Sequence, residues 1–315
     1  TIYDKPIITN TLGQDRQING SFVQSFSTQK NIIYKGKTTV TGGDFNFEFI
    51  VPKDINLQTG SGKISFYAHN IAIDATGSNN NIVIGGTSID NDSDRIGPII
   101  KPYLNDENFV DGGITNSNPI LLVNLQDESG INTTGIGIGH DIVATLIYRN
   151  KNDEIFILNE FYQAKLDSYQ EGLVTFPFNN LQPGFYTLKV KAWDVFNNSN
   201  EATITFEVKN NEELVLAHVL NYPNPFTTRT SFQFEHNQAG EDLEIQINIK
   251  TISGRLIKTI NQLVSSTGNR VNNILWDGRD NFGDKIAKGV YIYELKVRSI
   301  VSGKTSQKIE KLVLL

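Results

Sequence analysis

The sequence contains no cysteine, which excludes disulfides, thiolate metal sites and any cysteine nucleophile within these residues. Stability must come from packing. No stretch approaches the roughly 18 consecutive apolar residues that argue for a membrane span, and Thr1-Ile2-Tyr3-Asp4 lacks the basic-then-apolar layout of a signal peptide. A soluble chain is expected. Positive charge is scarce as well: 28 Lys and Arg against 34 Asp and Glu leave a net charge of -6, and the cations are scattered. A nucleic-acid surface is therefore not expected.

The residues present describe a folded β protein. Hydrophobic residues make up 38%, aromatics 10%, and there are 26 glycines in 315 residues, a length that fits two or three domains, each able to bury a core. Because residue 1 is Thr and strand-like material follows at once, the chain is expected to be a piece of something longer. Phe45, Phe47, Phe49 and Val51 alternate with Asn46, Glu48 and Ile50 after Gly42-Gly43, and Ile64, Phe66 and Ala68 alternate after Gly60-Ser61-Gly62. That period of two predicts half-buried strands and hairpins, with Asn81 to Ile84 as a further short strand.

The polar run Asp90 to Pro98 predicts a boundary. Beyond it, strands are expected at 120–125, 141–148, 185–192 and 202–208, the spacing of an immunoglobulin-like sandwich with Trp193 plugging one end of the core. Lys209 to Glu213 is a polar linker. Past it, Leu243, Ile245, Ile247 and Ile249 alternate, as do Tyr291, Tyr293, Leu295 and Val297, with Ser253-Gly254 as a hairpin turn. The expectation is all-β: three consecutive antiparallel β-sandwich domains, residues 1–96 (jelly-roll or Ig-like), 97–210 (Ig-like) and 211–315.

Chemistry-bearing patterns are few. His140-Asp141, behind the glycine-rich run 135–139, suggests a carboxylate orienting an imidazole, but adjacent strand residues point to opposite faces, so a structural histidine is preferred. The run 135–139 lacks the Lys-Ser/Thr of a phosphate loop, and Ser129 shows no nucleophile signature. Asp90, Asp92 and Asp94 open like a calcium loop, yet Arg95 stands where glycine is needed and Lys101 where a bidentate glutamate is needed, leaving a solvated linker as the preferred reading. Asp277, Asp280 and Asp284 with Asn281 read as a turn whose side chains bond their own backbone. No metal, cofactor or catalytic residue is assigned. The paired prolines of Tyr222-Pro223-Asn224-Pro225-Phe226 stiffen a donor-poor segment that cannot lie inside a sheet and should cross between strands or sheets; it is either a domain-entry linker or a recognition feature.

The series from Tyr222 to Phe226, then Gly254-Arg255, Trp276 to Asp280, Gly289 and Tyr291, and a closing Lys311-Leu312-Val313-Leu314-Leu315 resembles the C-terminal sorting domain of bacterial type IX secretion. Ile249-Lys250-Thr251 departs from the aromatic-Asp pair more usual before the Gly-Arg turn. Upstream, Tyr3 to Pro6, Tyr34 to Lys37, Phe49 to Ile55, Gly62 to Ala68, Asp127 to Asn132 and Gly137 to Asp141 resemble the region behind the catalytic domain in the sortases of that system, members of the gingipain-like cysteine peptidase family. That resemblance implies a non-catalytic C-terminal portion of an enzyme that trims sorting signals from cargo and joins the cargo to anionic lipopolysaccharide. It further implies a location on the outer face of the outer membrane. The implied partners are an outer-membrane barrel protein resembling PorV, other attachment-complex subunits and, through the whole enzyme, the sorting domains of cargo. A secreted cargo carrying a removable signal is the alternative.

Overall fold

The computed structural model describes residues 1–14, 20–70, 72–87, 94–135, 139–149 and 152–315, and it is all-β apart from one 3-10 turn at Asn159–Phe161. The first stretch holds β1 (Ile2–Tyr3), β2 (Ile7–Asn10), β3 (Ser25–Thr28), β4 (Ile32–Tyr34), β5 (Gly60–Ser61), β6 (Lys63–His69), β7 (Asp74–Asn79) and β8 (Val83–Ile84). They form a sheet ordered β4-β1-β6-β7 and two separate pairs, β2-β3 and β5-β8.

This stretch departs from the expected sandwich. Among its described residues, Ile2 and Ile33 are the only large hydrophobics in the buried core, while Ile8, Leu12, Phe22 and Ile73 are exposed. The expected strand at 45–51 has no ladder. Gly42 and Gly43, at φ 64° and 98°, do make the tight turn between the bridged Thr41 and Asp44. The Phe45, Phe47 and Phe49 rings then stack on one side with Tyr34, the Tyr34 and Phe49 centroids 4.7 Å apart. The alternation in the sequence therefore marks an extended segment held by rings instead of by strand hydrogen bonds.

The middle stretch holds β9 (Ile99–Leu104), β10 (Gly113–Thr115), β11 (Ile120–Gln126), β12 (Val143–Tyr148), β13 (Glu154–Ile157), β14 (Tyr162–Ala164), β15 (Glu171–Pro177), β16 (Gly184–Trp193) and β17 (Ser199–Val208). Two sheets, β10-β17-β16-β12-β13 and β14-β15-β11-β9, enclose one core from Ile100 to Val208. On β16 the residues Tyr186, Leu188, Val190 and Ala192 are buried, as the period of two requires. The same period places Trp193 on the opposite face from Ala192. Instead of plugging the core, its half-buried ring lies 4.3 Å from that of His140 and 4.4 Å from Lys191 Nζ.

The last stretch holds β18 (Leu216–Tyr222), β19 (Thr230–His236), β20 (Asp242–Thr251), β21 (Leu256–Ser265), β22 (Arg270–Trp276), β23 (Gly289–Ser299) and β24 (Thr305–Leu314). Sheets β18-β19-β22 and β21-β20-β23-β24 share a core from Leu214 to Leu314. Leu243, Ile245, Ile247 and Ile249 of β20 are at most 1% exposed, each contributing roughly 1.5–3 kcal/mol by burial. Two seams join the stretches. Lys53 N–H donates to Val195 O at 2.9 Å, and Thr39 N–H to Asp167 Oδ1 at 2.7 Å. Further on, Ile114 N–H donates to the buried Glu235 carboxylate at 3.1 Å, and Asn105 Nδ2 to Asn269 Oδ1 at 2.6 Å.

Candidate docking site

β18 ends at Tyr222, and the chain then crosses from the three-stranded sheet to the edge of the four-stranded one through cis Tyr222-Pro223 and Asn224-Pro225 peptides. The crossing is welded to the terminal strand. Phe226 N–H donates to Val313 O at 3.0 Å, and Leu315 N–H to Phe226 O at 2.9 Å. Asn224 grips the same strand twice: its Nδ2 donates to Lys311 O and its Oδ1 accepts from Val313 N–H, both at 3.0 Å. The Phe226 side chain, 2% exposed, sits 5.6 Å from the Trp276 ring. Neither proline has an N–H to offer a ladder, so the asparagine side chain supplies the pairing that the backbone lacks.

The remaining residues of the sorting-domain resemblance lie at this end of the sandwich. Gly289 pairs with Leu314 and Tyr291 with Leu312 across β23 and β24, and Tyr291 also faces Thr251, the last residue of β20. Gly254, at φ 87°, makes the turn from β20 to β21, where Arg255 N–H donates to Thr251 Oγ1 at 3.1 Å. Leu312 and Leu314 face inward, whereas Tyr222 and Leu315 are exposed. The structure thus brings Asn224 and Phe226 onto 311–315, with Gly289 and Tyr291 on the neighbouring strand. Gly254 and Arg255 reach this end only as a separate turn.

His140 pairs with Asp54 and not with Asp141: Nδ1 lies 2.8 Å from Asp54 Oδ2, while Asn132 Nδ2 and Asn197 Nδ2 donate to the same carboxylate at 2.8 and 2.9 Å. Burial pushes this carboxyl up, but the bonds from His140, Asn132 and Asn197 outweigh it and hold Asp54 below its usual range. The group ties the first stretch to the middle one. Sequence reasoning missed Asp54 because the contact spans the two stretches and no local motif announces it.

Asp90 and Asp92, of the calcium-like pattern, lie outside the described residues, as do 136–138 of the glycine-rich run. Asp94 instead stands with Asp127 and Asp194, their carboxylate oxygens within 4.8 Å of one another. Such an oxygen-only donor set suits a hard cation. Burial, and then the neighbouring acids, raise the Asp127 and Asp194 carboxyls; Asp94 is lowered, first by the Ile96 N–H and next by Ser129. In the loop after β22, Asp277 accepts from Arg279 N–H at 3.1 Å and Asp280 from Phe282 N–H at 2.9 Å, so these acids hold their own turn.

Set beside known proteins, the chain matches no family model and no curated protein. It is similar along its whole length to a solved structure. That structure is dimeric latent PorU from Porphyromonas gingivalis, at 28% identity over 100% of this chain, with a TM-score of 0.37. The chain spans 29% of that protein's length. Fibronectin(III)-like modules of Clostridium thermocellum CbhA match 68% of this chain and 94% of their own at 8% identity and a TM-score of 0.23. The chicken CNTN1 FN1-FN3 domains match 81% of this chain and 77% of theirs at 12% identity and a TM-score of 0.24.

Proposed function

We propose that this chain is the non-catalytic C-terminal region of a type IX secretion sortase of the PorU kind, and that residues 211–315 are its retained docking unit on the outer face of the outer membrane. With no cysteine, these residues hold no thiol nucleophile; signal cleavage and attachment of cargo to anionic lipopolysaccharide belong to the longer enzyme. The observation that carries the reading is the convergence of the sorting-domain residues, 222–226 on 311–315, at one end of the terminal sandwich. The partner it fits is an outer-membrane barrel protein resembling PorV.

The build of the connector supports a unit that stays attached. Lys209 N–H donates to Thr115 O at 2.9 Å and Asn211 Nδ2 to Ser117 Oγ at 2.8 Å, on the middle side. On the terminal side, Asn237 Nδ2 donates to both Asn210 O and Glu213 O at 2.9 Å, and Lys304 Nζ donates to Asn211 O. A segment bonded on both sides is a poor protease substrate, because cleavage requires an opened, extended chain. Binding of the purified barrel protein to this chain tests the docking role. Saturable binding that is lost on Phe226→Ala, with the middle stretch still folded, is expected; unchanged binding counts against it.

A further inference from the structure

The four-stranded terminal sheet ends in two edges, β24 and β21, and they are treated differently. β24 carries Lys308, Glu310 and Lys311, and Asn224 and Phe226 already cover its last residues. Charges and covering segments are how sheet edges are kept from pairing. β21 has neither over most of its length. Its loop cover stops at Thr259: Asn281 N–H donates to Ile257 O at 3.1 Å and Asn281 Oδ1 accepts from Thr259 N–H at 3.1 Å.

Those two bonds show which β21 residues face away from β20. By the two-residue period, Asn261 and Leu263 turn their N–H and C=O outward as well, and none of these groups meets a backbone partner among the described residues. From Thr259 to Ser265 the strand contains no charge and no proline. Three exposed apolar side chains flank it: Leu263 at 64%, Ile300 at 52% and Leu275 at 60%. On the Leu263 and Ile300 side the charges, Glu244 and Arg298, lie 3.7 Å apart and neutralise each other, whereas Arg229, Lys258 and Asp277 stand on the Leu275 side.

We infer that the Thr259–Ser265 edge of β21 is a strand-addition site for an uncharged, extended segment of a partner protein. Unpaired amide and carbonyl groups at strand spacing are complemented only by another extended backbone. On the Leu263 and Ile300 side, where the only lining charges pair with each other, the hollow gives no handle to a charged side chain. The site is distinct from the welded end that carries the sorting-domain residues, and the inference does not depend on the proposed sortase role.

Amide exchange on the full chain, with an alternating Thr-Val peptide as the probe, tests it. Saturating peptide is expected to slow exchange at Asn261 and Leu263 by about tenfold and to leave β24 unchanged. Asn261→Pro removes an outward donor and no backbone bond to β20, only the exposed side-chain bond from Gln246 Nε2, so it should abolish the protection without unfolding the sheet; Leu263→Lys, which adds a guarding charge, should do the same. No protection at any peptide concentration, equal protection in both variants, or protection of β24 instead would overturn the inference. So would protection that grows with the chain's own concentration in the absence of peptide, which assigns the edge to a second copy.

Discussion

Phe226→Ala is the sharpest perturbation of the welded end. The wild-type ring is 2% exposed, packs against Trp276, and lies beside Gly278 and Leu314. Truncating such a ring costs about 3–5 kcal/mol through lost transfer energy and the cavity left behind. The backbone bonds to Val313 and Leu315 need no side chain, so the loss is one of packing, and the terminal strand should loosen rather than disappear. For a unit of roughly 100 residues each kcal/mol is worth about 4–8 °C, which puts the expected fall in its thermal midpoint at about 12 °C or more. Amide exchange read residue by residue separates this unit from the middle one, which should be unaffected. Phe282→Ala serves as the control: that ring is 92% exposed on the nearby loop, and the change should stay within about 0.5 kcal/mol. If Phe226→Ala costs no more than Phe282→Ala, the crossing segment does not hold the terminal strand.

Other consequences concern buried charge. His236 is fully buried and burial lowers its pKa to about 4. The unfolded chain therefore takes up this proton first, and stability should fall between about pH 6.5 and pH 4 by up to ~3 kcal/mol; His236→Gln should flatten that part of a pH-stability curve. Asp54 behaves in the opposite sense to a raised acid. Its lowered carboxyl contributes fully above the ordinary carboxylate range, and the contribution is lost as pH falls through its folded value. At neutral pH, Asp54→Ala should speed exchange at the Lys53 amide, which bonds Val195; an unchanged rate would remove Asp54 from the seam. Asp127 is raised by burial and by its acidic neighbours, so it costs stability while charged and the cost is relieved as pH falls through its folded value. Asp127→Asn should thus raise the melting temperature at pH 7 in metal-free buffer, and a fall would show that the cluster's hydrogen bonds outweigh its repulsion.

Where burial is periodic, the strands were legible in the sequence. β11, β12, β16, β17, β20 and β23 all fall where alternation predicts them, because each has one face in a core and one in solvent. The segment 45–51 shows the limit of that logic: alternation guarantees an extended chain, while a ladder also needs a neighbouring strand. Trp193 shows another, since a single residue past the last buried position changes face. At the candidate site, the paired prolines were enough to predict a crossing between strands or sheets. That Asn224 would take over the pairing to Lys311 and Val313 was not legible, because it depends on a strand nearly ninety residues away. The ties at Asp54 and Glu235 share this property: each is a single polar residue whose partners come from another stretch of chain.

The intact mass of the protein recovered from the cell surface tests the central claim most directly. A retained docking unit predicts a species that still contains residues 211–315, with the bonded connector 209–213 uncut. A product ending at or before that connector would contradict the account and mark the terminal sandwich as a signal removed after export.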